Sequence, residues 1–227
     1  MSTTVKVGVV GTTGRMGSRV VYLARELAGV ELSAALERAR DRDGKDVGEL
    51  IGGPKIGVTV TTDPVAAISA CDVLIDFTAP PACAVLAPVC ATQGTAYVCA
   101  STGMGEVERI ALDEASKTVP VLEAANLSVG VTMMRELVRE AAARLGEDFD
   151  IEVFEIHHRH KRDAPSGTAY ALGESVQEAR PELSNVPARA AIDQARVRDS
   201  LGYAALRGGD VAGEHTVYFF GEGERIE

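Results

Sequence analysis

The 227-residue sequence has no tryptophan, five tyrosines, five phenylalanines and four histidines. With aromatics this scarce, the core must be filled by Val, Ala, Leu and Ile. That composition suits a layered α/β protein whose parallel strands are buried on both faces. Positive charge is also short: 23 Lys and Arg stand against 33 Asp and Glu, a net charge of −10. The balance argues against nucleic acid or an anionic membrane as partner, and any anion must be captured by a local site. No apolar run exceeds strand length, so no membrane span is expected. The opening MSTTVKVGVVG enters a strand pattern directly, without a cleavable signal, and a cytoplasmic location is the expectation. Cys71, Cys83, Cys90 and Cys99 form no CxxC pair and read as reduced core thiols.

What is present is alternation. Strand patterns at 5–10, 30–36, 58–61, 73–77, 96–99 and 119–122 are separated by helical patterns at 15–27, 64–70, 81–91 and 105–117. Strands alternating with helices of this length predict βαβ units and a Rossmann-type parallel sheet. The pattern then changes to α+β. A long amphipathic helix is predicted over 129–145, stopped by Gly146, then a strand over 150–156 and a helix over 169–180 ended by Pro181. Residues 184–213 read as turns and mixed short strands, and 215–220 as a strand pairing with one after GEGE. The expected domains are 1–127, for a dinucleotide, and 128–227, an α+β domain with an antiparallel or mixed sheet.

After the first strand comes Gly11-Thr12-Thr13-Gly14-Arg15-Met16-Gly17. A tight glycine turn into a helix presents backbone N–H groups and the positive end of a dipole, both suited to a pyrophosphate. The spacing is GxxGxxG rather than GxGxxG, and glycine turns also occur for geometry alone. Glu37 ends the second strand, where an acid would accept the ribose hydroxyls of NAD. Arg38 or Arg15 could pair with the 2′-phosphate of NADP, so weak discrimination between NADH and NADPH is expected. Thr78-Ala79-Pro80, Ser101-Thr102-Gly103 and Asn126 follow other strands of the same sheet, on its ligand-binding edge.

The second cluster is EIHHRHKRDAPSGTA, residues 155–169, with three of the four histidines. Three readings compete. One is a solvated polar loop. A metal site is the second, but His157, His158 and His160 lie too close in sequence to converge easily and no HExxH or thiol pair completes a set, so no metal is expected. The third is catalytic: Lys161 and a histidine make a cationic pocket for an anionic small molecule and can deliver a proton. Ser166 is a good N-cap, and with Gly167 and Thr168 it opens a helix whose amides can hold a carboxylate. A dinucleotide in one half and a carboxylated substrate in the other point to hydride transfer, with the two helix starts facing each other across a cleft.

GTTGRMG, DFTAP, AANLSVG, HHRHKRDAPSGTA and RGGDVAGEHTVYF occur in this order. Together they resemble the dihydrodipicolinate reductase (4-hydroxy-tetrahydrodipicolinate reductase) family of lysine and diaminopimelate biosynthesis, over essentially the whole chain. The resemblance implies NADH- or NADPH-dependent reduction of 4-hydroxy-tetrahydrodipicolinate, a dicarboxylate, to tetrahydrodipicolinate. It implies His157 as proton donor/acceptor, Lys161 as proton donor, His158 as a substrate contact, and Gly167 and Thr168 as the carboxylate grip. Gly11, Thr12, Thr13, Gly14, Arg15 and Met16 match the dinucleotide loop, Glu37 the NAD contact and Arg38 the NADP contact. Ala124, Ala125, Asn126 and Leu127 match a nicotinamide-side loop.

Ala100, Ser101 and Thr102 match another loop, where the family commonly has Gly-Thr-Thr; Ala100 and Ser101 depart from it, and the methyl at 100 is expected to crowd the cofactor slightly. The resemblance also implies a homotetramer built through the C-terminal sheets, and a further strand and helix beyond Glu227, so the chain reads as shortened relative to the family. Three other functions stay open at this point: a dinucleotide-binding paralogue with impaired catalysis, another NAD(P)-dependent amino or keto acid oxidoreductase, and a metal-dependent protein using the histidines.

Overall fold

The computed structural model describes residues 4–187 and 193–227. The first three residues of the opening run and 188–192, within the stretch read as turns and short strands, lie outside the described residues. The chain forms two compact units, Met1–Ala124 and Ala125–Glu227.

The first unit runs β1 (Val5–Val10), α1 (Arg15–Glu26), β2 (Val30–Leu36), α2 (Val47–Leu50), β3 (Val60–Thr61), α3 (Pro64–Ser69), β4 (Val73–Asp76), α4 (Pro80–Gln93), β5 (Ala96–Cys99), α5 (Glu106–Ser116) and β6 (Val121–Glu123). The six strands are ordered β3-β2-β1-β4-β5-β6, all parallel. This is the doubly wound arrangement that the alternation predicted. One buried cluster holds Leu36, Ile68, Leu74, Leu86, Tyr97 and Leu112. Another holds Val7, Val9, Val21, Ala24, Val47 and Val60. Alternate residues of β1 fall in each, as expected of a strand covered on both faces.

The short helix α2 lay outside the periodic patterns. Its N-cap is Asp46, whose carboxylate accepts from Gly48 N–H at 2.8 Å, Ile56 N–H at 3.0 Å and Gly57 N–H at 2.8 Å, so one acid shapes the segment leading to β3.

The second unit runs α6 (Val129–Leu145), β7 (Asp150–His157), α7 (Gly167–Ala179), β8 (Ser184–Val186), β9 (Ser200–Arg207), β10 (Glu214–Gly221) and β11 (Glu224–Ile226). Its sheet is mixed, in the order β11-β10-β7-β9-β8: β7 pairs antiparallel with β10 and parallel with β9. Ser128 caps α6 through Val131 N–H, and Gly146 at φ +67 ends it.

Two boundaries need correction. β7 extends to include His157. β9 is a full eight-residue strand where only short pieces were expected. Its small residues hid it: a Cβ at Gly202 would lie 1.7 Å from a Glu152 carboxylate oxygen, so that position is kept bare for a neighbouring side chain. Among the described residues no helix is long and apolar enough to cross a membrane.

The four cysteines are free thiols, all buried. Burial pushes Cys71 up to about 11, and burial with neighbouring charge pushes Cys83 and Cys90 up to about 12, so these stay protonated and inert.

Asp76, fully buried at the end of β4, accepts from Tyr97 Oη at 2.7 Å, from Thr78 N–H at 2.7 Å and from Thr78 Oγ1 at 2.5 Å. Removing the phenol leaves a buried carboxylate oxygen short of a donor. We expect Tyr97→Phe to lower unfolding free energy by about 1.5–3 kcal/mol, read as a shift in denaturant midpoint at unchanged slope.

Candidate functional site

In the first unit the chain turns at Gly11, whose φ of +66 suits glycine alone, and its N–H donates to Leu36 O at 2.9 Å. Gly14, the N-cap of α1, donates back to Gly11 O at 2.9 Å. A Cβ at Gly17 would lie 2.1 Å from Gly11 O, so the third glycine allows α1 to meet the turn closely. This geometry accounts for all three glycines and leaves the start of α1 without a side-chain cap. Gly14, Arg15 and Met16 are exposed there.

Glu37 is only 6% exposed and faces this turn. Its Oε1 accepts from Thr13 N–H and Thr13 Oγ1, each at 2.8 Å, and from Thr12 Oγ1 at 3.1 Å. Arg42, which the sequence reading did not single out, reaches Oε2 at 3.1 Å and also contacts the Thr13 hydroxyl. The expected ribose acceptor therefore braces the glycine turn, with Oε2 the less occupied oxygen. Arg38 is exposed beside it.

Thr78 lies against the turn: a Cβ at Gly11 would meet Thr78 Cγ2 at 2.7 Å. Ala100 N–H donates to Asp76 O at 2.8 Å, and Ala124 N–H to Cys99 O at 3.0 Å. Thr102 is exposed, while Ser101 is buried with no partner for its hydroxyl among the described residues. These loops all leave the carboxyl ends of parallel strands, hence one edge of the sheet. A bare helix start, glycines too close for side chains and an unsatisfied hydroxyl together fit a dinucleotide.

In the second unit the histidine run does not close into one cationic pocket. His157 is the last residue of β7 and is buried; His158 and His160 continue into a turn with ring centroids 6.3 Å apart. His157 Nδ1 lies 2.5 Å from Glu155 Oε2, two residues back on the same face. Arg207 on β9 grips Glu155 with both Nη atoms at 2.7 Å, and Ser166 N–H donates to Glu155 Oε1 at 3.1 Å. The histidine that meets His157 is His215 of β10, edge to face with centroids 5.0 Å apart. Register explains the grouping: His157 is opposite Arg207, and Glu155 opposite His215.

Ser166 caps α7, its Oγ accepting from Ala169 N–H at 3.1 Å and lying 2.9 Å from His215 Nε2. Lys161 Nζ pairs with Asp163 at 2.9 Å. Burial raises the Asp163 pKa, but Lys161 and backbone N–H groups outweigh it and hold the carboxyl below its ordinary value. Thr168 Oγ1 accepts from the side-chain amide of Asn126 at 3.1 Å. Ala125 and Leu127 are exposed on either side of Asn126. Among the described residues, no group of three or more His, Cys, Asp or Glu is disposed to hold a metal.

The sequence reading thus missed Arg42, Glu155, Arg207 and His215. Glu155 and His215 stood inside quoted motifs, and alternation along a strand could have paired Glu155 with His157. Arg207 needed the β7–β9 register.

Two family models match the chain: dihydrodipicolinate reductase, N-terminus, over residues 5–127, and dihydrodipicolinate reductase, C-terminus, over 130–227. A 4-hydroxy-tetrahydrodipicolinate reductase of Anaeromyxobacter dehalogenans is 48% identical, the match covering 98% of this chain and 84% of the relative. That of Citrifermentans bemidjiense is 45% identical over 98% of this chain and 85% of the relative. The fold is similar to that of a dipicolinate-bound dihydrodipicolinate reductase from Paenisporosarcina sp. TG-14, with a TM-score of 0.72 at 24% identity, covering 98% of this chain and 85% of that one.

Gly213, at φ +150, passes over the ring of His157, where a Cβ would lie 2.7 Å from Nε2. We expect Gly213→Ala to displace that ring and lower reductase kcat about tenfold or more, at a stability cost of about 1–3 kcal/mol. Steady-state kinetics and thermal unfolding of the variant check both.

Proposed function

The chain belongs to the dihydrodipicolinate reductase family, and on that premise we propose a division of labour between its two halves. Its activity is the reduction of 4-hydroxy-tetrahydrodipicolinate with a nicotinamide dinucleotide, a step of lysine and diaminopimelate biosynthesis. When bound, the reduced nicotinamide supplies the hydride.

Residues 1–127 hold the dinucleotide. The amides from Gly11 to Met16 and the start of α1 take the pyrophosphate. Ser101 and Thr102, with Ala100, and the segment Ala124, Ala125, Asn126 and Leu127 border the nicotinamide. Glu37 offers Oε2 to a ribose hydroxyl. Arg38 and Arg42 offer guanidinium groups to a 2′-phosphate, so both NADH and NADPH are accepted. The Arg42–Glu37 contact supports this: an arginine already paired with the ribose-side acid can turn to a phosphate while the acid stays braced by Thr12 and Thr13.

Residues 128–227 hold the dicarboxylate and supply the proton. Gly167 and Thr168 open α7, where the Gly167 N–H already draws the Asp163 carboxylate and the helix dipole favours a negative charge. Lys161 and His158 flank it. Lys161 and His157 deliver a proton to the substrate and stabilise negative charge as it develops, the larger effect in most such sites. The observation that carries this reading is the joining of His157, through Glu155, to the Ser166 that starts α7. A proton carrier and a carboxylate grip are thereby fixed to one buried acid.

The sheet face opposite α7 carries Phe154, Ile156 and Tyr218 with the exposed Leu206 and Phe220. That face supports assembly into a homo-oligomer, a tetramer by family resemblance, and sedimentation of the intact chain tests it.

Lys161→Ala is expected to lower kcat about 100-fold or more while NADH binding, followed by nicotinamide fluorescence, is kept. Full turnover in that variant removes Lys161 from the mechanism. Arg42→Ala is expected to weaken NADPH binding about tenfold and NADH binding by less than half as much, in paired fluorescence titrations. Equal losses with both cofactors would assign Arg42 to bracing the loop alone.

A further inference from the structure

Glu155 is 1% exposed, and a charge so buried costs several kcal/mol unless every lone pair finds a donor. Here each does: Arg207 supplies two N–H groups, Ser166 its backbone N–H and His157 its Nδ1. We infer that Glu155, locked by Arg207, is a positioning residue that keeps a proton permanently on His157 Nδ1 and so makes Nε2 the nitrogen that exchanges protons during the reduction. The inference rests on the reading of His157 as a proton carrier.

Donor accounting leads to it. Arginine and a backbone N–H can only donate, so three of the four partners require the carboxylate to accept. Burial raises the pKa of Glu155, but the hydrogen bonds from Arg207 and His157 outweigh it and hold the carboxyl below its ordinary value. Against an ionised oxygen at 2.5 Å, Nδ1 must carry hydrogen. Nε2 then points toward Gly213, where no side chain intervenes.

The other groups around the ring leave the Glu155–Nδ1 contact undisturbed. His215 is pushed below its ordinary pKa by burial first and by the charge of His157 second, so it is neutral at working pH. Lys161 is paired with Asp163, and Arg207 is spent on Glu155. When Nε2–H gives its proton to the substrate, the ring becomes neutral imidazole with Nδ1–H retained, and solvent returns a proton to Nε2.

The test is nitrogen-15 NMR of the full chain labelled at histidine, the four signals assigned by single substitutions. His157 in the unaltered chain is expected to show a protonated Nδ1 throughout the neutral range, with only Nε2 titrating. Glu155→Gln, which cannot accept from Arg207 and Nδ1 as a charged pair of oxygens does, should give mixed tautomers. Its kcat should fall about tenfold or more at nearly unchanged substrate KM. A His157 protonated at Nε2 alone in the unaltered chain overturns the inference, and so does a Glu155→Gln chain with an unmoved tautomer and kcat within about twofold of normal. If that variant does not fold, the spectrum of the unaltered chain decides by itself. Undiminished kcat in His157→Gln overturns instead the proton-carrier reading beneath it.

Discussion

A carboxylate buried at the end of a strand is stable only while its donors stay in place, and in this protein that requirement organises the second unit. Replacing the Glu155 network with apolar side chains of similar volume would cost little or even stabilise, whereas breaking it from one side is expensive. Its donors come from β9, from the segment before α7 and from β7 itself. The same acid therefore ties the sheet register, the cap of α7 and the orientation of His157 into one state. Below it on the same sheet face lies the apolar cluster of Ile151, Val153, Leu172, Leu201 and Val217. The polar network sits where that core ends and the turn into α7 begins.

The first unit uses the same device twice. Glu37 after β2 collects two hydroxyls and an amide from the glycine turn; Asp76 at the end of β4 collects Thr78 and Tyr97. Each acid sits at the carboxyl end of a parallel strand and turns inward to hold a loop at that edge of the sheet, Glu37 the turn after β1 and Asp76 the one after its own strand. Loops fixed in this way lose little freedom when a ligand arrives, so less of the binding energy goes into ordering them. An internal partner for Glu37 is thus compatible with the proposed cofactor site: Oε1 is held by the glycine turn, and under that proposal Oε2 is shared between Arg42 and a ribose hydroxyl.

Strand and helix periodicity made the six-stranded sheet legible, because its buried β-branched runs and glycine turns are local signals. The histidine-rich run was legible as a motif of the family, and α6 emerged at its predicted bounds because Ser128 and Gly146 mark both ends. What local patterns could not carry was pairing at long range. Arg207 and His215 reach Glu155 and His157 only through the register of β9 and β10 against β7. β9 itself was obscured by Gly202 and its alanines, whose small size serves the neighbouring Glu152 rather than any strand propensity. Sequence position placed Glu37 correctly at a strand end but could not say which way its side chain turns.

Charge balance links the two halves of the proposed mechanism. A chain of net charge −10 must bind a dicarboxylate and a dinucleotide, so attraction has to be local. Around the proposed substrate site two ion pairs cancel their charges, Arg207 against the buried Glu155 and Lys161 against the exposed Asp163. Under the proposed mechanism, a carboxylate arriving at Gly167 and Thr168 competes with Asp163 for Lys161. In that same mechanism, an arriving dianion is drawn by simple Coulomb attraction to the cationic groups that face it. On the inference drawn above, the acid that stabilises the fold also sets which nitrogen of the His157 ring exchanges the proton.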